Sequence, residues 1–288
     1  MEILFVPNLG DKRKNGEPKW GADFFADAFK KYMPHEVSIE YNLDNMNEYD
    51  VVWVHNVANL LKGLRGRFYT FKKLSFHHPP IIGGVRGEIG LKTSKHYLRY
   101  FDAIHTGNIK LTEKTSKHNK KAYTLSSGVN PEWYKPHVPP EDFTIGWAGD
   151  VKKNMKNIDL LFGLKYPLRM ATKQYYTPHD EMPEKFYNTI STLIHPSSHE
   201  GSSRVIMESA ACGLPIICTN VGHNSTLIDK KWFITLDNPL EQIKERLELL
   251  QDPDIYQAVS KANQEAAKKY MWPNIIKQSE TIIDDTLK

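Results

Sequence analysis

Two cysteines in 288 residues are too few for a disulfide framework, and Cys212 and Cys218 both sit in apolar runs where a small core side chain fits. No zinc-site spacing accompanies them, so a reducing, cytoplasmic compartment is expected. Long apolar runs are missing too, since none approaches the roughly 20 residues that a bilayer-spanning helix needs. The first residues, MEILFVPNLGDKRKNG, read directly as a strand and carry no signal-peptide core. There is no internal repeat, no low-complexity tract and no dominant charge. The formal net charge of +4 permits an anionic partner, such as a nucleotide, a nucleic acid or a phospholipid surface, without requiring one. With 40% hydrophobic and 25% charged residues the composition is that of a globular protein, and the length suits two α/β domains.

What the chain does have is concentrated in residues 195–220, reading HPSSHEGSSRVIMESAACGLPIICTN. Val205, Ile206, Ala210 and Ala211 fall at helical spacing, which predicts a helix over 202–212. Gly213 and Pro215 stop it in the expected order, and a buried strand begins at 215–218. Loop, helix, tight turn and strand make one half-unit of a parallel α/β layer. On that frame the backbone N–H groups of Gly201, Ser202 and Ser203 are expected to be the unpaired donors of the first turn, at the positive end of the helix dipole. Such a turn suits phosphate. Glu200 lies just outside the helix and Glu208 inside it, so the two carboxylates can reach different ends of an elongated ligand. A carboxylate near phosphate is unfavourable unless it bonds hydroxyls, and a phosphate with sugar hydroxyls on both sides describes a nucleotide-sugar.

Glu200-Gly201 followed by Glu208-Ser209-Ala210-Ala211-Cys212-Gly213-Leu214-Pro215 resembles the two-glutamate (E-x7-E) signature of a large retaining glycosyltransferase family, glycosyl transferases group 1. Sucrose synthase and bacterial lipopolysaccharide and mannosyl transferases belong to it. The resemblance implies the α/β GT-B fold, two Rossmann-like domains facing across a cleft, with a last helix crossing back to the first domain. It also implies that Glu200 contacts the donor sugar, that the amides of Gly201, Ser202 and Ser203 hold the diphosphate, and that Glu208 binds the ribose. Residues 140–288 carry the likeness well and 1–135 weakly.

In the first half, residues 2–7, 37–41, 50–55, 81–85 and 101–106 read as strands and 92–100 and 111–118 as helices. The loop 8–21, with three glycines, several lysines and Trp20, leads into an amphipathic helix bearing Phe24, Phe25, Ala28 and Phe29. A glycine-containing loop after a first strand is a ligand position in open α/β sheets, although a plain connection is the alternative. Gly21 matches the closing glycine that the resemblance places near the donor. His55 ends its strand either in the ligand crevice or as a simple cap. Strand 81–85 runs into Arg86-Gly87-Glu88. Many members of the resembled family carry a histidine there beside the reacting sugar, so Arg86 and Glu88 become the candidates for acceptor-side chemistry. Residues 60–78, LLKGLRGRFYTFKKLSFHH, interleave basic and aromatic side chains in a way that can lie on an anionic membrane or nucleic acid. No single helical face collects the charge, so the preferred reading is a solvated helix with its aromatics turned into the core.

Pro131, Pro136, Pro139 and Pro140 mark an extended linker, giving domains at 1–135 and 136–270 and a returning helix at 271–288. Residues 143–149 restart an α/β layer, and Lys156 opens its first helix. Lys156 matches the lysine with which the family neutralises the diphosphate. Asp150 stands where the family has an arginine, so either Lys152 or Lys153 supplies that charge or donor affinity is low. Strand 168–175 leads to a turn that the resemblance places near the base, which makes Tyr176 a donor contact, with Tyr175 and Thr177 beside it. A helix over 184–190 follows. Pro196 forbids a regular helix between His195 and His199, so they are not paired metal ligands. Asp252-Pro253-Asp254 lies between two charged helices and reads as a cap rather than a metal-binding D-x-D.

The expected activity is transfer of a sugar from a UDP- or GDP-sugar, with retention and without metal or cofactor. The acceptor is left open among a glycan, a lipid-linked sugar and a modified nucleic acid. Three alternatives stay beside it: a nucleotide-sugar epimerase or hydrolase on the same fold, a non-catalytic nucleotide-sugar binder, and a basic nucleic-acid-binding protein, for which no recognised reader motif is present.

Overall fold

Short runs of Ile, Val, Leu and Phe bounded by turn residues become the strands of two separate sheets, each parallel throughout. The computed structural model describes residues 1–7, 21–75 and 78–288. It divides into a unit of Met1–Ser127 with Trp272–Lys288, and a unit of Gly128–Met271. The loop 8–20 lies outside the described residues.

The first sheet comprises β1 (Glu2–Val6), β2 (Glu36–Ile39), β3 (Val51–Val54), β4 (Ile81–Val85), β5 (Ala103–Thr106) and β6 (Ala122–Thr124), in the order β2-β1-β3-β4-β5-β6. Between them run α1 (Gly21–Tyr32), α2 (Val57–Leu60), α3 (Gly63–Leu74), α4 (Glu88–Ser94) and α5 (Ile109–Thr115). The central strands β3, β4 and β5 are buried along their whole length, which is why they read as continuous apolar runs rather than alternating ones. The helix expected over 92–100 breaks. Ser94 Oγ bonds the Gly90 carbonyl, the Tyr97 amide takes the Ser94 carbonyl, and only a 3-10 turn, Leu98–Tyr100, follows. A second expectation is also corrected. Tyr69 of α3 turns inward to Asp44, but Phe68 and Phe71 stay exposed.

The second sheet holds β7 (Ile145–Gly149), β8 (Leu168–Thr172), β9 (Thr192–His195), β10 (Ile216–Thr219) and β11 (Phe233–Ile234), in the order β11-β10-β9-β7-β8. Its helices are α6 (Met182–Lys185), α7 (Arg204–Ala211), α8 (Pro239–Leu249) and α9 (Pro253–Ala267). The helix expected from Lys156 is replaced by two 3-10 turns, because Asn157 between them takes a left-handed φ of 48°. The helix expected over 184–190 likewise shortens to α6 and a 3-10 turn, Tyr187–Thr189. Asp252 caps α9 by accepting the amides of Asp254 and Ile255, as expected. The last helix, α10 (Trp272–Leu287), belongs to the first unit, where Trp272 meets Phe25 of α1 edge to face at 5.0 Å. Among the described residues no helix is long and apolar enough to cross a membrane.

Candidate functional site

In the second sheet β8 lies on one side of β7 and β9 on the other, so strand order reverses between β7 and β9. The carboxyl ends at such a reversal are where open α/β sheets bind ligands. Two loops meet there. The Ser198 amide bonds the Met155 carbonyl at 2.8 Å and Asn157 Nδ2 bonds the Pro196 carbonyl at 2.7 Å, which ties the turn after β7 to the loop after β9. Lys156 is thereby held against Glu200, and the two form an ion pair with only 16% and 14% of their side chains exposed. His195, the last residue of β9, places Nε2 3.0 Å from the same Glu200 oxygen.

Burial pushes the Glu200 carboxyl up, but the bond from His195 and the Lys156 charge outweigh it and hold it at about 2. Glu200 is therefore ionised at neutral pH. The fully buried His195 ring is held below its ordinary value by desolvation, so Nε2 carries the proton that Glu200 accepts, an assignment made from the hydrogen-bond network.

Glu208 sits inside α7 with its side chain 2% exposed. Tyr187 Oη donates to one oxygen at 2.7 Å and Arg204 Nη2 to the other at 2.9 Å, with His179 Nδ1 3.5 Å away. Burial raises its carboxyl, yet the Arg204 charge with His179 and Tyr187 keeps it below the usual range. Sequence reasoning missed all three partners. Arg204 carried a readable signal, a cation one helical turn from Glu208 at i, i+4. Tyr187, His179 and His195 carried none.

The expected amide turn is corrected in one respect. α7 begins at Arg204 rather than Ser202, and the Ser203 amide is occupied by His223 Nδ1 at 3.2 Å. Gly201 and Ser202 precede the helix. The loop from 222 to 224 presses on this turn, and it can do so only through glycine. Gly222 has φ +61°, and a Cβ there would lie 2.5 Å from the Gly201 carbonyl oxygen. Gly222→Ala is expected to lower stability by about 1–3 kcal/mol and to displace the 200–202 turn. A urea midpoint equal to that of the parent protein overturns this.

The remaining candidates are dispersed. Tyr176 follows β8 and is 40% exposed. Asp150 accepts from Gln174 Nε2 at 2.8 Å and from the Lys152 amide at 3.1 Å, which makes it a turn residue, while Lys152 and Lys153 stay exposed. In the first unit Gly21 is the first residue of α1. Arg86 follows β4 and lies over the Phe25 ring at 5.5 Å, its guanidinium pulled down to about 10 by burial. Glu88 instead turns outward to Lys114, so the two acceptor-side candidates do not converge. His55 is buried against Phe25.

Buried histidines also set an acid response. Desolvation lowers His55, His105, His195 and His223 from the ordinary 6.5, His223 to about 4. Each folded-state value lies below the unfolded one, so the unfolded chain binds more protons under pH 6.5. Stability is complete above that pH and falls as acid is added, by up to about 1.4 kcal/mol per pH unit for each histidine. Urea denaturation at pH 8, 6 and 5 reads the slope, and equal stability at all three contradicts it.

The two parallel α/β units are those of the GT-B fold. Anabaena HepE, solved in complex with UDP, matches with a TM-score of 0.73 and 14% identity, covering 99% of this chain and 100% of that one. The lipopolysaccharide outer core galactosyltransferase WaaB matches with a TM-score of 0.69 and 10% identity, over 99% of each chain. Residues 146–266, within the second unit, match the family model described as Glycosyl transferases group 1. O-antigen chain mannosyltransferase B of Escherichia coli is 27% identical over 105 residues, 36% of this chain and 27% of that protein. An uncharacterized glycosyltransferase of Methanocaldococcus jannaschii is 27% identical over 146 residues, 47% of this chain and 38% of that protein. The matched stretch thus spans well under half the length of these curated relatives.

Proposed function

We propose that this protein is a glycosyltransferase that moves a sugar from a UDP- or GDP-sugar to an acceptor with retention of anomeric configuration. One observation carries the reading: the Lys156–Glu200 pair stands at the carboxyl ends of β7 and β9, inside the residues that match the group 1 family. A diphosphate entering that crevice offers Lys156 a more highly charged partner and frees Glu200 to accept a hydroxyl of the donor sugar. As the bond from the anomeric carbon to the phosphate oxygen breaks, its electrons pass to that oxygen. Lys156 and the Gly201–Ser202 turn stabilise the charge. The acceptor hydroxyl attacks from the same face and gives its proton to the departing phosphate oxygen. Glu208 is assigned to the ribose and Tyr176 to the base.

Positive charge in this scheme comes from the protein, so no metal ion takes part. The UDP bound in HepE favours uridine as the nucleotide. Arg86 in the first unit is assigned to the acceptor side, and the acceptor is a glycan, a lipid-linked sugar or a modified nucleic acid. A thermal-shift panel of UDP-, GDP- and ADP-sugars tests the reading. A donor at a hundred times its Kd adds about 2.7 kcal/mol to the folded state. Absence of a shift with every donor overturns it, and release of free sugar whether or not an acceptor is added assigns hydrolysis instead.

A further inference from the structure

α3 has two faces. Thr70 bonds the Leu60 carbonyl at 3.0 Å and Lys73 lies 3.5 Å from Asp44, so this side is anchored to the first unit. On the other side Arg65, Arg67, Phe68, Phe71 and Lys72 are exposed, Phe68 by 72%. Arg67 and Phe71 border a groove of about 570 Å3 whose other walls include Lys92, His96, Arg99 and Tyr100.

Two features of the groove point to a ligand. The first is an excess of positive charge. Among the described residues no carboxylate pairs with Arg67, Lys92 or Arg99. Arg99 bonds the Tyr100 hydroxyl at 3.1 Å and lies over its ring, and Glu88, one turn from Lys92, feels the Lys92 charge but spends its ion pair on Lys114. Three cations around one concavity repel each other unless an anion joins them. The second is apolar surface on the rim. Phe68 lies one helical turn from Phe71, and Ile89, 82% exposed, lies one turn from Lys92 and Thr93. Large apolar side chains standing in water beside unpaired cations form the pattern of an interfacial membrane contact. A nucleic acid would use the cations and could stack on Phe68, but it has no use for Ile89.

We propose that this face of the first unit rests on an anionic phospholipid bilayer, with lipid phosphates in the groove between Arg67, Lys92 and Arg99 and with Phe68, Phe71 and Ile89 immersed at the headgroup boundary. It does not depend on the activity proposed above.

The test is co-sedimentation of the whole chain with vesicles of phosphatidylglycerol and phosphatidylcholine, against phosphatidylcholine alone. Binding is expected to the anionic vesicles only and to weaken with salt. The triple variant Arg67→Glu, Lys92→Glu, Arg99→Glu is expected to lower partitioning more than about twentyfold. Phe68→Ser with Ile89→Ser is expected to lower it severalfold with the charges intact. All five positions are on the surface, and unchanged melting temperatures establish that the variants fold. Equal binding to neutral vesicles, or no effect of the charge variant, overturns the proposal. Loss with the charge variant but none with the apolar one overturns immersion and leaves a groove for a soluble anion. Displacement from anionic vesicles by a stoichiometric single-stranded oligonucleotide, unchanged by Ile89→Ser, assigns the face to nucleic acid instead.

Discussion

Glu208→Ala is expected to lower the stability of the second unit by about 3–5 kcal/mol, since removing one member of a buried ion pair strands the other. Arg204 would keep its charge with 18% of its side chain exposed, and the buried Tyr187 hydroxyl would lose its acceptor. Urea denaturation measures the loss. Because the penalty belongs to the stranded charge, the double variant Arg204→Met, Glu208→Leu is expected to recover most of it. A double variant as unstable as Glu208→Ala alone contradicts that account. The same carboxylate is assigned to the ribose, and Glu208→Gln separates the two roles. The amide keeps the size and one acceptor, so most of the stability is retained, while affinity for UDP measured by calorimetry is expected to fall about tenfold or more.

Lys156→Met is expected to have the largest effect on turnover. The ammonium is paired with Glu200, and in the proposed mechanism its loss removes the charge assigned to the diphosphate. Removing a preorganised stabilising group of this kind typically lowers kcat by about 10²–10³. Steady-state kinetics with the donor found in the thermal-shift panel reads the effect, and unaltered kcat together with unaltered UDP affinity removes Lys156 from the mechanism. The substitution also acts on Glu200 itself. Burial raises that carboxyl and Lys156 is among the groups that lower it, so its value is expected to rise from about 2. In the parent protein the depressed value means that Glu200 contributes stability above the unfolded carboxylate range and loses it only as pH falls towards about 2. The lysine variant is expected to lose that contribution at higher pH.

The local pieces were legible for local reasons. Strand runs, the Gly213–Pro215 stop and the cap at Asp252 depend on side-chain type within a few residues; the stop and the cap appear where sequence placed them, while the strand expected over 168–175 ends at Thr172. Helix lengths were less so. Asn157 in a left-handed conformation interrupts one segment whose apolar spacing alone reads as continuous, and past Ser94 a second one tightens into a 3-10 turn. The basic and aromatic run of α3 was ambiguous in principle, because spacing does not say which side of a helix meets the sheet. Only the packing of Tyr69 and Thr70 turned Phe68 and Phe71 outward.

By itself the sequence determined that the chain makes two parallel α/β layers and that its two glutamates flank a turn beside a helix, since periodicity, glycine and proline act over short range. Tertiary structure decided what those glutamates touch. Glu200 finds Lys156, and Glu208 finds Tyr187 and His179, only when segments well separated in the chain are folded against one another. Carboxylates buried in such company stay charged because their partners are fixed beside them, a condition that no linear spacing records.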